Sequence, residues 1–450
     1  MTENRQHIVE IAGVAIIVFA VLAFSLFIEK PLTAEKGLAF DSLQYFLIAQ
    51  NFEAQQPVIS EAPFVYRIGL PFLVSVFFPR NMFLGFKVIN LLGAIISIFL
   101  LLMWLRLYLK NTFVKLLLIF LFATHWVGAL RLSFYSPIHA ESWMTVFNLM
   151  GFIIIFYLLK DRQNLLLLAA LCAVVFFGVL FRESVLFLAI IYIVLIILEL
   201  SPKLEDADFS IRKDFLMAML PLVAGLLAFF VTRLIVTPNN SYSLLVIFIY
   251  WIYQKPFPTY IQSYFTTYGP MLALLVPSYR VVKDFFRRER FNAYYLVFVC
   301  LVAWGIGSDT DRFLYWVMPV MYVVFGLALE YLWPIFQKKR MLLILLIAFQ
   351  LLAQRSFLPY EEYLPEKIQY RIPALTVICN EGCGLDIASY NGITGAGLLA
   401  GMCTPSPCTY AGKPYYFQII LFIEHLFVFS LFIYLIMRAQ RKLVAVESRH

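Results

Sequence analysis

The chain has 450 residues, of which 62% are hydrophobic and 14% charged, and its mean hydropathy is +0.84. That is more apolar surface than a soluble core can bury, so a soluble globular domain is excluded and an all-α integral membrane protein is expected. The formal charge of +8 does not argue for a nucleic-acid partner, because Lys and Arg fall in short clusters between apolar runs, as they do where a membrane protein fixes its orientation.

In chain order, the first apolar run (8–28) has spanning length and no small-residue cleavage site, and reads as a retained first span. Further runs follow at 83–105, 113–130, 143–159, 165–180, 185–198, 215–236, 264–279, 293–306, 313–333, 341–357 and 417–437. Together they predict about twelve transmembrane helices. Loop charge alternates as such a count requires. Arg106, Lys110 and Lys115 fall on one side, as do Lys160 and Arg162, Lys203, Arg212 and Lys213, the Arg280–Arg290 cluster, Lys338–Arg340, and Arg438, Arg441 and Lys442. Both termini are then cytoplasmic, and two long loops, 29–68 and 358–416, lie outside a single polytopic domain, 1–450.

The first outer loop contains FDSLQYFLIAQNF, in which Leu43, Phe46, Leu47 and Gln50 recur at helical spacing, and an amphipathic surface helix is predicted. It would hold Asp41 and, one turn on, Tyr45 at the water–lipid boundary. Asp41 can act there as a base, or simply cap the helix with Phe40 as a staple. The loop closes with VYRIGLPFLVSVFFP, where Pro71 and Pro79 interrupt a run too short to span, so a second surface or re-entrant helix is expected. Arg67, next to Tyr66, can bind a phosphate or snorkel to the interface.

Three further outer corners carry charge. RLSFYSPIHAES supplies Arg131, His139 and Glu141 around Pro137; His139 can shuttle a proton or be a solvated loop residue. The FRES turn places Arg182 and Glu183 at the membrane boundary, as an internal ion pair or as a contact to a lipid phosphate. GSDTDRFLYWVMP places Asp309, Asp311 and Arg312 at the end of a span, where the acids can hold a divalent cation or cap the next helix. The aromatic stretch 238–268 suits an interfacial belt or a polyprenyl-guiding surface helix. Four of the six cysteines, Cys379, Cys383, Cys403 and Cys408, fall in the second outer loop, where two disulfides are expected, with zinc as the rival. Cys172 and Cys300 read as packing residues within spans.

With these motifs placed, the chain resembles the GT-C superfamily of polytopic glycosyltransferases, through FDSLQY, YRIGLP, FRES and the DTDRF corner. The resemblance implies a GT-C-like fold in a bacterial inner (cell) membrane, with surface helices in the first outer loop and a site on the periplasmic or extracellular face. It implies a polyprenyl-phosphate sugar as donor, a glycan, lipid or protein as acceptor, and membrane lipids as surroundings. Asp41 becomes the catalytic base, and Arg67, Arg182 or Arg312 the donor-phosphate ligands. Tyr45, Tyr66, His139, Glu141, Glu183, Asp309 and Asp311 are supporting candidates. The single Asp in the first loop departs from the acidic pair of many members, so metal dependence stays open. A transporter or lipid flippase, and a polysaccharide polymerase or ligase, are the alternative functions.

Overall fold

An apolar segment in an apolar setting must satisfy its N–H and C=O groups internally, and the helix is the local way to do so. The computed structural model describes residues 3–28, 37–38, 41–200, 209–254, 257–306, 310–354, 356 and 414–447. Its helices are α1 (Glu3–Phe27), α2 (Ser42–Glu53), α3 (Gly69–Phe77), α4 (Met82–Arg106), α5 (Thr112–Thr124), α6 (Ala129–Tyr135), α7 (Glu141–Leu158), α8 (Leu165–Phe181) and α9 (Leu186–Leu200). They continue with α10 (Phe209–Ile235), α11 (Leu244–Gln254), α12 (Phe257–Tyr268), α13 (Tyr279–Arg288), α14 (Arg290–Gly305), α15 (Thr310–Leu314), α16 (Met318–Lys338), α17 (Arg340–Ala353) and α18 (Pro414–Glu447). Asparagine side chains set several starts: Asn81, Asn111 and Asn164 accept backbone N–H groups in the first turns of α4, α5 and α8.

Among the described residues, six helical stretches are long and apolar enough to cross a membrane: Arg5–Phe27, Met82–Arg106, Thr112–Tyr135, Glu141–Leu158, Lys213–Ile235 and Arg312–Lys338. This corrects the expectation of about twelve. The runs at Leu165–Phe181, Arg290–Gly305 and Arg340–Ala353 are helical and apolar but have only 10–17 residues. At about 1.5 Å per residue, a helix of about 16 residues covers roughly 24 Å of a 30 Å hydrocarbon layer. The run at 264–279 is not one helix. α12 stops at Tyr268, Gly269 takes a positive φ of 58°, and Gly269–Leu275 continues as a tighter 3-10 turn. A Cβ at Gly269 would also lie 2.6 Å from Gln350 Oε1, so both conformation and space demand glycine.

The protein is thus a largely helical bundle with several long apolar helices of membrane-spanning character. Its outer helices turn apolar side chains away from the protein: 28% of the most apolar window of α1, and likewise of α10, is buried, against 89% for Arg312–Lys338 at the centre. One charged group is nevertheless enclosed within α1. Glu10, fully buried, pairs with Lys115 of α5 and, at 2.7 Å, with Arg106 of α4, and accepts from Thr112 Oγ1 at 3.1 Å. A carboxylate in an apolar helix is sustained by such partners, and these fasten α1 to the C-terminal end of α4.

The segment between α1 and α4 forms a second, smaller core of α2, α3 and the start of α4, closed by Ile138, Ala140, Phe181 and Val236. α2 is helical as predicted, but the stripe of Leu43, Phe46, Leu47 and Gln50 is not its buried face. Ser42, Tyr45, Ile48 and Ala49 are buried instead. The stripe expected at the membrane surface is the less buried side, and α2 packs on protein through its small and aromatic residues. α3 is the expected short second helix, drawn close to α8 at Gly69, whose added Cβ would meet Phe181 at 2.7 Å. A feature absent from the sequence reading ties this loop down: β1 (Val58–Ser60) pairs in parallel with β2 (Val236–Pro238), with Val58 opposite Val236. Asn240 reinforces it by accepting from Ala62 N at 2.8 Å.

No disulfide occurs among the described residues, which corrects the expectation of a disulfide-bearing protein as far as they extend. Cys172 in α8 and Cys300 in α14 are free thiols on helices. Cys379, Cys383, Cys403 and Cys408 lie outside the described residues.

Candidate functional site

The site begins at the break between α6 and α7. Pro137 cannot continue a helix, and the carbonyls it leaves exposed are taken up by the fully buried Asn90 of α4, which donates to Pro137 O at 2.8 Å and His139 O at 2.9 Å. This pins the turn so that α7 opens with Glu141, whose carboxylate accepts Ala140 N–H at 3.1 Å at the positive end of the helix. Glu141 is 6% exposed and has three neighbours that can donate, the Ala140 N–H, Arg182 and Arg312. Oε1 pairs with Arg182 Nη1 and lies 3.4 Å from Arg312 Nε, while Oε2 also lies 3.3 Å from His139 Nδ1.

Arg182 and Glu183 do not form the internal ion pair considered for the FRES turn. Arg182 is extended, with φ −160° and ψ 131°, and successive side chains of extended backbone point apart. Arg182 reaches Glu141, and Glu183 reaches Arg67 Nε at 2.9 Å. Arg67 in turn donates from Nη1 to the Tyr45 hydroxyl at 2.9 Å. Burial raises the Tyr45 phenol above its ordinary value, keeping it neutral despite the opposing Arg67 charge. His139 is not a solvated loop residue: it is 6% exposed, and Nδ1 accepts Glu141 N–H at 3.2 Å.

Asp41 stands at the N-cap position of α2 but makes no side-chain capping bond. Its carboxylate faces Arg312 Nη2 at 3.5 Å instead. These two side chains are the accessible end of the network, 33% and 26% exposed, whereas Arg182 and Glu141 are 4% and 8%. Asp41, Tyr45, Arg67, His139, Glu141, Arg182, Glu183 and Arg312 therefore gather at one end of the bundle. Asp41, Arg312, Glu141, Arg182 and His139 form one chain of contacts, and Tyr45, Arg67 and Glu183 a second beside it.

Other candidates fall elsewhere. Tyr66 packs under Arg233, whose guanidinium carbon is 3.9 Å from the Tyr66 ring and 3.3 Å from that of Phe229. Asp309 lies outside the described residues, as does the side chain of Asp311, so the cation reading of that corner falls outside them too. Among the described residues no group of three or more His, Cys, Asp or Glu side chains is placed to hold a metal ion. Two residues not singled out in the sequence complete the site. Asn90, a buried amide in a span, sets the turn. Trp316 lies beside Arg182, whose guanidinium carbon is 5.1 Å from its ring. A lone Asn inside an apolar run was a readable signal for the first; nothing in the sequence marked the second.

No protein-family model matches the chain, and neither a curated protein nor a solved structure is found to be similar to it. Membership of the GT-C superfamily therefore has no support beyond the short motifs that suggested it.

Proposed function

We propose that this chain is a membrane glycosyltransferase that moves a sugar from a polyprenyl-phosphate donor to a hydroxyl of a glycan, lipid or protein acceptor on the non-cytoplasmic face. The observation that carries the reading is the Asp41–Arg312 pair: a carboxylate released from capping duty, facing a guanidinium at 3.5 Å, both partly exposed at the edge of a buried ionic network. In this reaction the acceptor oxygen bonds to the anomeric carbon, the carbon–oxygen bond to the phosphate breaks, and Asp41 takes the hydroxyl proton. A single displacement of this kind inverts the anomeric centre.

Charge balance supports the same assignment. Asp41 and Glu141 offset Arg312 and Arg182 before reaction. When Asp41 takes a proton the cluster gains one positive charge, just as the departing polyprenyl phosphate gains one negative charge. A preorganised site that acquires its complement in the transition state favours that state over the ground state. Arg312 is the accessible phosphate ligand, Arg182 stands behind it, and Arg67 serves to position Tyr45 and Glu183.

Purified protein in vesicles, supplied with a panel of polyprenyl-phosphate sugars, is assayed for released polyprenyl phosphate. Release by the wild type and its loss in Asp41→Asn supports the proposal. Solute movement across the vesicle with no release from any donor replaces it with a transporter.

A further inference from the structure

Around Arg182 the buried polar groups do not all find partners. Arg182 is 3% exposed, and although Nη1 reaches Glu141, its Nε–H has no acceptor. Trp316 is 5% exposed beside it, and its indole N–H also has no acceptor. Ser184, two residues along from Arg182 and 6% exposed, leaves its hydroxyl unpaired. Buried donors are rarely left unpaired in folded proteins, and a group of them asks for a water, an ion or a ligand.

The chemistry of the donors selects among these. Guanidinium and indole N–H groups only donate, so their partner must accept. A water or a sugar hydroxyl brings a proton of its own, for which the Ser184 oxygen is the open acceptor beside Glu141, which already faces two guanidiniums and the Ala140 amide. A guanidinium and an indole N–H that converge favour an anionic acceptor over a neutral one. A phosphate ester oxygen brings no proton and matches a guanidinium geometrically. Building on the proposed transfer reaction, we infer that Arg182 Nε and Trp316 Nε1 both donate to phosphate oxygens of the lipid donor, which makes Trp316 a phosphate-binding residue. The Asp41–Arg312 bridge, the longest and most exposed of the ionic contacts here, is the one that yields as the phosphate enters.

The test is calorimetric titration of the full chain in nanodiscs with farnesyl phosphate and, separately, with inorganic phosphate. Trp316→Phe keeps an aromatic ring against Arg182, Phe187 and Phe313 and removes only the N–H. Trp333→Phe, whose ring packs on Phe113, is the control. Farnesyl phosphate binding weakens about tenfold in Trp316→Phe and is unchanged in Trp333→Phe. Equal affinity in Trp316→Phe and wild type overturns the inference and leaves the proposed reaction standing. Equal binding of inorganic phosphate and farnesyl phosphate, both weakened in Trp316→Phe, supports the donor pair but makes the site one for free phosphate. No binding of either by the wild type overturns the inference together with the lipid-phosphate reading. Ultraviolet resonance Raman on the unmutated protein gives a readout independent of any variant. An indole N–H band must shift to a hydrogen-bonded position on adding farnesyl phosphate, and an unchanged band contradicts the assignment.

Discussion

Replacing Glu141 with Gln keeps the size and shape of the side chain and removes one charge from the centre of the network. Glu141 faces Arg182 and Arg312, and of these Arg182 is the more deeply enclosed, 3% exposed and stacked near Trp316. A surface ion pair is worth about 0–1 kcal/mol, but stranding one partner of a buried pair costs about 3–5 kcal/mol because a charge remains without compensation. Arg312, 26% exposed and still beside Asp41, adds little to that cost. Glu141→Gln is therefore expected to lose about 3–5 kcal/mol in a mixed-micelle unfolding titration. Removing the stranded charge should recover most of the loss, so Arg182→Met combined with Glu141→Gln is expected to lie closer to wild type than Glu141→Gln alone. A loss below about 1 kcal/mol, or a double variant whose cost is the simple sum of the singles, refutes the view of Glu141 as the buried hub.

Other consequences are equally direct. Asp41→Asn removes no capping bond and weakens a partly exposed 3.5 Å contact with Arg312, so its stability should stay within about 1 kcal/mol of wild type. The same change takes a negative charge from beside Arg312 and should tighten farnesyl phosphate binding, measured by calorimetry. Gly269→Ala forces a side chain into a positive-φ position against Gln350 and is expected to lower stability by about 1–2 kcal/mol in the same titration. Burial raises the Glu289 carboxyl above its ordinary 4.5, with Tyr108 and nearby Lys160 and Arg288 opposing the rise. The folded state then holds the Glu289 proton more tightly than the unfolded one, so this residue costs stability as pH rises through and above 4.5. Glu289→Gln should be more stable than wild type near neutral pH, with the difference vanishing below pH 4; a constant difference across that range contradicts the assignment.

Much of the helical layout was legible because hydrophobic runs and helices share a cause. The runs at 83–105, 143–159, 165–180 and 215–236 correspond to α4, α7, α8 and α10 with small boundary shifts. What failed was the step from apolar run to spanning helix, because 14 residues at 340–353 are as apolar as a span without being as long. Which side of α2 meets protein was not legible either, because its apolar residues occupy more than one side and periodicity alone does not separate them. Gathering the charged corners at one end was legible from their alternation with the basic loops. Their pairing was not. Glu141 ranked below the arginines in sequence, yet it is the residue they share, since only folding brings α7, α8 and α15 together. The bond between Asn240 and Ala62 spans 178 residues and leaves no local trace.

The central claim is that Asp41 takes a proton from an acceptor hydroxyl while Arg312 receives the departing lipid phosphate. Turnover of a polyprenyl-phosphate sugar in vesicles, followed as released polyprenyl phosphate for wild type and Asp41→Asn side by side, tests it most directly. The account predicts release by the wild type and none by the folded, lipid-binding variant. Equal release by both, or no release by the wild type from any donor in the panel, would contradict it.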